Sequence, residues 1–118
     1  MARRKVTAAV AVLVTDGALP GEVGWIRFWQ RLGQPVPAIA DAVRETSRLV
    51  IAHEDQLTCG FGAELAARAA SDLFEFLDAP VRRVAALDTP VAYCPELEEV
   101  ILPQSSDVLN AIRETARY

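Results

Sequence analysis

The chain has 118 residues, 52% of them apolar, with 12 basic and 16 acidic side chains and a net charge of −4. That is length for one domain with an ordered core, and the apolar share excludes global disorder. The charge is uneven: residues 1–35 hold five basic and two acidic side chains, so residues 36–118 carry −7 and repel a nucleic-acid backbone.

Arg3-Arg4-Lys5 followed by the apolar run Val6 to Val14 imitates the opening of a signal peptide. The run alternates small and β-branched residues, and Asp16-Gly17 closes it without a small-x-small cleavage pattern. It reads as a buried first strand, far short of the ~20 residues a membrane span needs. Pro20-Gly21 breaks the chain again. Val23 to Leu32 reads as a short helix with Trp25, Ile26, Phe28, Trp29 and Leu32 near one face and Arg27 and Arg31 beside them. Such a helix serves a membrane surface or a partner, or packs its aromatics on the chain's own sheet.

After the breaker run Gly33 to Pro37, Ala38 to Thr46 has helical character. Ser47 or Arg48 leads into a second strand, Leu49 to Ala52, which ends at the acidic turn His53-Glu54-Asp55. Gly60-Phe61-Gly62 opens a helix running from about Gly62 to Leu77. Its apolar stripe is Leu65, Ala66, Ala69, Leu73, Phe76 and Leu77, with Arg68, Asp72 and Glu75 facing water. Asp78-Ala79-Pro80 stops it. Val81 to Leu87 is a third strand whose Arg82-Arg83 marks an end or an edge. Asp88 to Pro95 is an irregular loop, and Glu96 to Leu102 is short and acidic. Pro103 to Asp107 caps a terminal helix with Val108, Leu109, Ile112 and Ala116 inward. Strand, loop, glycine pair and helix make half a βαβ unit. The prediction is a three-layer α/β/α domain with a mostly parallel sheet of four or five strands, its functional loops beyond the carboxyl ends of the strands.

Several groups invite chemistry. Gly60-Phe61-Gly62 at a helix start can cradle an anion, but Glu64 in the first turn already supplies negative charge there, and a lone G-x-G is weak evidence. A tight turn or close backbone approach explains the glycines better. His53-Glu54 could form an acid–base pair, yet the chain has no second histidine and no nucleophile arranged to need this one. Asp88 with Glu96, Glu98 and Glu99 lacks the spacing of a cation site and reads as a solvated acidic face. Cys59 and Cys94 are too few for a disulfide framework or a zinc site; they read as inert thiols suited to a reducing, cytoplasmic setting. No catalytic, cofactor or metal residue is expected on the chain.

Five blocks in order carry a family resemblance: Glu45 to Glu54, Gly60-Phe61-Gly62-Ala63-Glu64, Leu77-Asp78-Ala79-Pro80-Val81, Asp88-Thr89-Pro90-Val91 and Leu102-Pro103-Gln104. Together they resemble the C-terminal, transketolase-C-type domain of the beta subunit of thiamine-diphosphate-dependent 2-oxo acid dehydrogenases of the pyruvate, branched-chain and acetoin type. The resemblance covers residues 37–118. Residues 1–36 depart from the family pattern and form a divergent segment, the two together making one compact domain. The resemblance implies an oxidoreductase whose whole form decarboxylates a 2-oxo acid on thiamine diphosphate with magnesium and passes the acyl group to a lipoyl arm. It also implies a subunit interface built by the glycine-helix block, here Gly60, Phe61, Gly62 and Glu64 with Glu54 beside it, and as partner a second copy or an alpha subunit. The family's catalytic histidines and its thiamine-activating glutamate lie outside this domain. Its Gly-Asp-Gly and later Asn for the diphosphate and magnesium are absent here, where the only Asn is Asn110. The competing reading is a free-standing interaction or regulatory domain that binds a small anion at Gly60 to Gly62.

Overall fold

The computed structural model describes residues 9–13 and 37–118. The expected helix over Val23 to Leu32, with its two tryptophans, and the turns at Asp16-Gly17 and Pro20-Gly21 lie outside the described residues. Along the chain come β1 (Ala9–Leu13), α1 (Pro37–Thr46), β2 (Leu49–Gln56), α2 (Phe61–Asp72), a 3₁₀ turn (Phe74–Phe76), β3 (Arg82–Ala86), α3 (Pro95–Ile101) and α4 (Ser105–Thr115).

Among the described residues the sheet has three strands in the order β1-β2-β3, both pairs parallel, where the sequence predicts four or five. Parallel neighbours demand crossovers, and α1 and α2 lie in the two crossovers. Two right-handed crossovers stepping the same way put both helices on one face. The core agrees. Leu49 and Ile51 of β2 cluster with Ala40 and Val43 of α1 and with Leu65, Ala69 and Leu73. Val50 and Ala52 alternate to the other face and are buried too, where α4 packs on β2 and β3. Helices on both faces of a parallel sheet give the three layers expected.

The terminal helix differs from its reading. A capping box holds its start: Gln104 and Asp107 serve each other's backbone N–H groups, and Gln104 N donates to Asp107 Oδ2 at 2.8 Å. Val108, Ile112 and Ala116 are half-buried as expected, whereas Leu109 is exposed and the wholly buried residue is Thr115. The hydroxyl of Thr115 donates to Ala111 O at 2.7 Å, so burial leaves it satisfied. Arg48 Nε donates to Thr115 O at 3.1 Å and ties the helix end to the start of β2. The acidic stretch Glu96 to Leu102 is mainly α3, which Pro95 starts from the first-turn position where its missing N–H costs nothing.

Candidate functional site

The second strand does not end at Ala52. It continues through His53, Glu54 and Asp55 to Gln56, so the acidic turn of the sequence reading is strand. The continuation is irregular. Ala52 pairs with Val84 and Gln56 with Ala86, so four steps along β2 face two along β3. That bulge sits at the carboxyl end of the central strand, where it aims side chains at the loops.

His53 and Glu54 part company there. His53 is 3% exposed and lies under the entry to α2, while Glu54 is exposed at the surface. Consecutive strand residues point to opposite faces, so the two do not act as one acid–base pair. A Cβ on Gly62 would stand 2.1 Å from His53 Nε2 and 2.4 Å from Cδ2. A Cβ on Gly60 would meet the backbone oxygen of Gln56 at 1.9 Å and His53 Cε1 at 3.1 Å. Gly60 has φ −72° and ψ 164°, an ordinary extended conformation, so space and not left-handed backbone is what it supplies. The close approach expected of the glycine pair is thus made, within the chain, to an imidazole.

Neither ring nitrogen of His53 has a hydrogen-bond partner among the described residues. Burial pushes its pKa below the ordinary imidazole value; Asp55 works against that shift and Arg83 with it. Burial therefore favours the neutral ring.

Asp55 closes the start of α2. Its Oδ2 accepts the Phe61 N–H at 3.0 Å and its Oδ1 the Gln56 N–H at 2.8 Å. Gly60, at the position before the helix, offers no side-chain cap, so the carboxylate six residues back does that work. Glu64 in the first turn adds a second negative charge and pairs with Arg68 at 2.7 Å. An anion seeking this helix end meets two carboxylates.

The loop between β2 and α2 is held from the β3 side. Asp88 accepts from the Thr58 N–H at 2.8 Å and from its hydroxyl at 2.5 Å. Those two bonds, the hydroxyl's first, keep the Asp88 carboxyl below its usual range. Gln56 Nε2 donates to Thr89 O at 2.9 Å and Arg83 Nη1 to Leu57 O at 2.6 Å. Cys59 turns the chain in the left-handed region, with φ 60°. Beside this loop a cleft of about 520 Å³ opens beyond the strand ends, lined by Glu54, Gln56, Leu87, Val91, Glu98 and Ile101 among others.

Asp88 therefore serves the loop and does not join Glu96, Glu98 and Glu99 in a cation site. No three His, Cys, Asp or Glu side chains among the described residues are grouped to hold a metal. The Cys94 thiol donates to Glu96 Oε2 and holds that carboxyl below its usual range. What sequence reasoning missed is Asp55: its place six residues before an uncapped helix start was the available signal.

Residues 34–108 match the family model described as transketolase, C-terminal domain. The chain belongs to the transketolase C-terminal domain family. Within that family it is similar to the beta subunits of 2-oxo acid dehydrogenases. It is 38% identical over 79 residues to a pyruvate dehydrogenase E1 component subunit beta of Rickettsia bellii, covering 67% of this chain and 24% of that protein. With the mitochondrial 2-oxoisovalerate dehydrogenase subunit beta 2 of Arabidopsis thaliana it shares 44% over 80 residues, covering 68% and 22%. A mitochondrial pyruvate dehydrogenase E1 component subunit beta of Ascaris suum is 39% identical over 77 residues, covering 64% and 21%. The transketolase C-terminal domain seen here thus spans about a quarter of the length of the curated relatives it matches. No helix among its described residues is long and apolar enough to cross a membrane.

Proposed function

We propose that this domain contributes subunit surface, and no catalytic group, to a thiamine-diphosphate-dependent 2-oxo acid dehydrogenase whose partner is a second copy or an alpha subunit. The observation that carries the reading is the alignment of residues 34–108 with a domain that beta subunits of such dehydrogenases contain. The whole enzyme would decarboxylate a 2-oxo acid and hand the acyl group to a lipoyl arm in a cytoplasmic setting. Residues 37–118 supply the domain and residues 1–36 are a divergent segment of the sequence.

The described residues do not fit thiamine diphosphate and its metal. A diphosphate brought to the α2 start would meet the Asp55 carboxylate already on the Phe61 N–H, and that same contact disfavours the small-anion alternative. Support for an assembly role comes from the surface. Val91, Tyr93, Leu97 and Val100 are more than half exposed, a run of large apolar side chains on and before α3. On the other side of the loop, Glu54, Phe61 and Glu64 reach the surface, while Gly60 and Gly62 shape the block that presents them.

The test is sedimentation and gel filtration of the full chain, alone and with an alpha subunit from a related dehydrogenase. A concentration-dependent dimer or a stable mixed complex is expected, weakened by Phe61→Ala and by Val91→Asp. A monodisperse monomer at high concentration with no affinity for an alpha subunit would overturn the proposal.

A further inference from the structure

We infer that Asp88 is a positioning residue for assembly. With Thr58 it straps the β2–α2 loop to the β3–α3 loop, so that the start of α2 and the apolar run on and before α3 meet a partner as one surface. The inference rests on the function proposed above and names the contact that orients the two halves of that surface.

The cleft beyond the strand ends takes its lining from both halves: Glu54 and Gln56 at the end of β2, Val91 and Glu98 before and on α3. Gln56 and Ala86 are the last partners in the β2–β3 register. Past them, orientation depends on individual bonds. Leu57 is held through its backbone: its N–H donates to Ala86 O at 3.1 Å, and its O accepts from Arg83 Nη1 at 2.6 Å. Thr58 gives its N–H and its hydroxyl to the two oxygens of Asp88, at 2.8 and 2.5 Å. Two bonds to one carboxylate fix direction as well as distance. Asp88 is itself placed from both sides. The N–H of its neighbour Leu87 donates to Ile101 O at the end of α3, at 3.0 Å, and Thr89 O accepts from Gln56 Nε2 at 2.9 Å.

The residue after Thr58 shows what the strap holds. Cys59 has φ 60°, a left-handed conformation that costs free energy without a glycine and persists only where neighbouring contacts over-determine it. From there the chain brings Gly60 so close to Gln56 O that a Cβ would stand 1.9 Å from it. Thr58 on one flank and the Asp55 bond to Phe61 N–H on the other supply those contacts. Thr58 and Asp88 are both exposed, so their bonds replace bonds to water and add little to global stability. They decide instead where the loop stands relative to α3. A merely structural pair shows itself in the unfolding midpoint. A positioning pair shows itself in association at an unchanged midpoint.

The experiment compares the full chain with Asp88→Ala, Thr58→Val and Thr58→Ser. Sedimentation, alone and with an alpha subunit from a related dehydrogenase, gives the affinity; urea denaturation gives the stability; amide exchange reports on the two loops. Asp88→Ala and Thr58→Val should each weaken association about tenfold, and the double variant no more than Asp88→Ala alone, because both act through one strap. Urea midpoints should stay close to that of the unaltered chain. Thr58→Ser keeps both donors and should associate normally. Thr58→Val, a change in one loop, should speed exchange at Thr89 and Val91 in the other, and Asp88→Ala should do so at Thr58 and Cys59. Full-strength association in Asp88→Ala and Thr58→Val, a loss shared by Thr58→Ser, or exchange changes confined to the altered loop would each overturn the inference. So would a fall in affinity matched by a fall in the urea midpoint, or a variant that does not fold, since the pair would then be ordinary structure. The two readings fail in different ways. A chain that never associates defeats the assembly reading and the role of Asp88 with it, whereas association indifferent to the strap defeats that role alone.

Discussion

The imidazole of His53 occupies the space in which a side chain on Gly62 would have to stand, with Nε2 2.1 Å from the position of that missing Cβ. The glycine is required by a ring on a neighbouring element, not by its own backbone angles. Gly62→Ala should therefore cost about 1–3 kcal/mol, the range for forcing an extra methyl into a packed site. The same change in a His53→Ala background should cost far less, because the obstacle has gone. Gly60→Ala is the control: its Cβ would strike the backbone oxygen of Gln56 at 1.9 Å, so His53→Ala should not rescue it. Urea denaturation of the single and double variants reads the coupling. Equal rescue at both glycines, or at neither, would refute this account.

Asp55 does the capping that the residue before α2 does not. Asp55→Ala should destabilise the domain by about 1 kcal/mol, in the usual range for a lost helix cap, with the largest gain in amide exchange at Phe61. Glu54→Ala, one residue earlier and exposed, should stay within about 0.5 kcal/mol. Comparable losses from both would show that the helix cap is not what Asp55 contributes.

The pH dependence of stability follows from the same histidine. Its pKa is lowered in the folded chain relative to the ordinary 6.5, so the unfolded chain binds the proton more tightly. Stability from this group is complete above about pH 6.5 and is lost as pH falls through the folded value. Thermal midpoints taken from neutral to mildly acid pH should fall on the acid side in the unaltered chain. The fall should be shallower in a folded His53→Gln variant. A steeper fall in that variant would place the acid sensitivity elsewhere.

Arg48 joins two distant parts of the chain. Its Nε–H bond to Thr115 O links the entrance of β2 to the last turn of α4. Arg48→Met keeps the aliphatic stem and removes the donor, and should cost roughly 0.5–1.5 kcal/mol. Faster amide exchange confined to α4 is the accompanying expectation. Unchanged protection there would show that the helix is held by packing alone.

By itself the sequence determined the class of fold and the family. Apolar periodicity marked α2 through Leu65 and Ala69, which its face buries, and Leu73 just past its end, whereas Pro95, read as the end of a loop, starts a helix. These are local signals, carried by spacing and by residue type within a few positions. What tertiary structure decided was the end of β2. His53-Glu54-Asp55 has the polarity of a turn, and only pairing with β3, four residues against two, keeps it in the sheet and bulges it. That register sends His53 inward under Gly62, leaves Glu54 outside and brings Asp55 onto the Phe61 N–H. The same holds for α4, where the position of β2 and Arg48 buries Thr115 and leaves Leu109 in water. Contacts between residues distant in the chain choose among local conformations of similar energy, and a single sequence carries no record of the register that makes the choice.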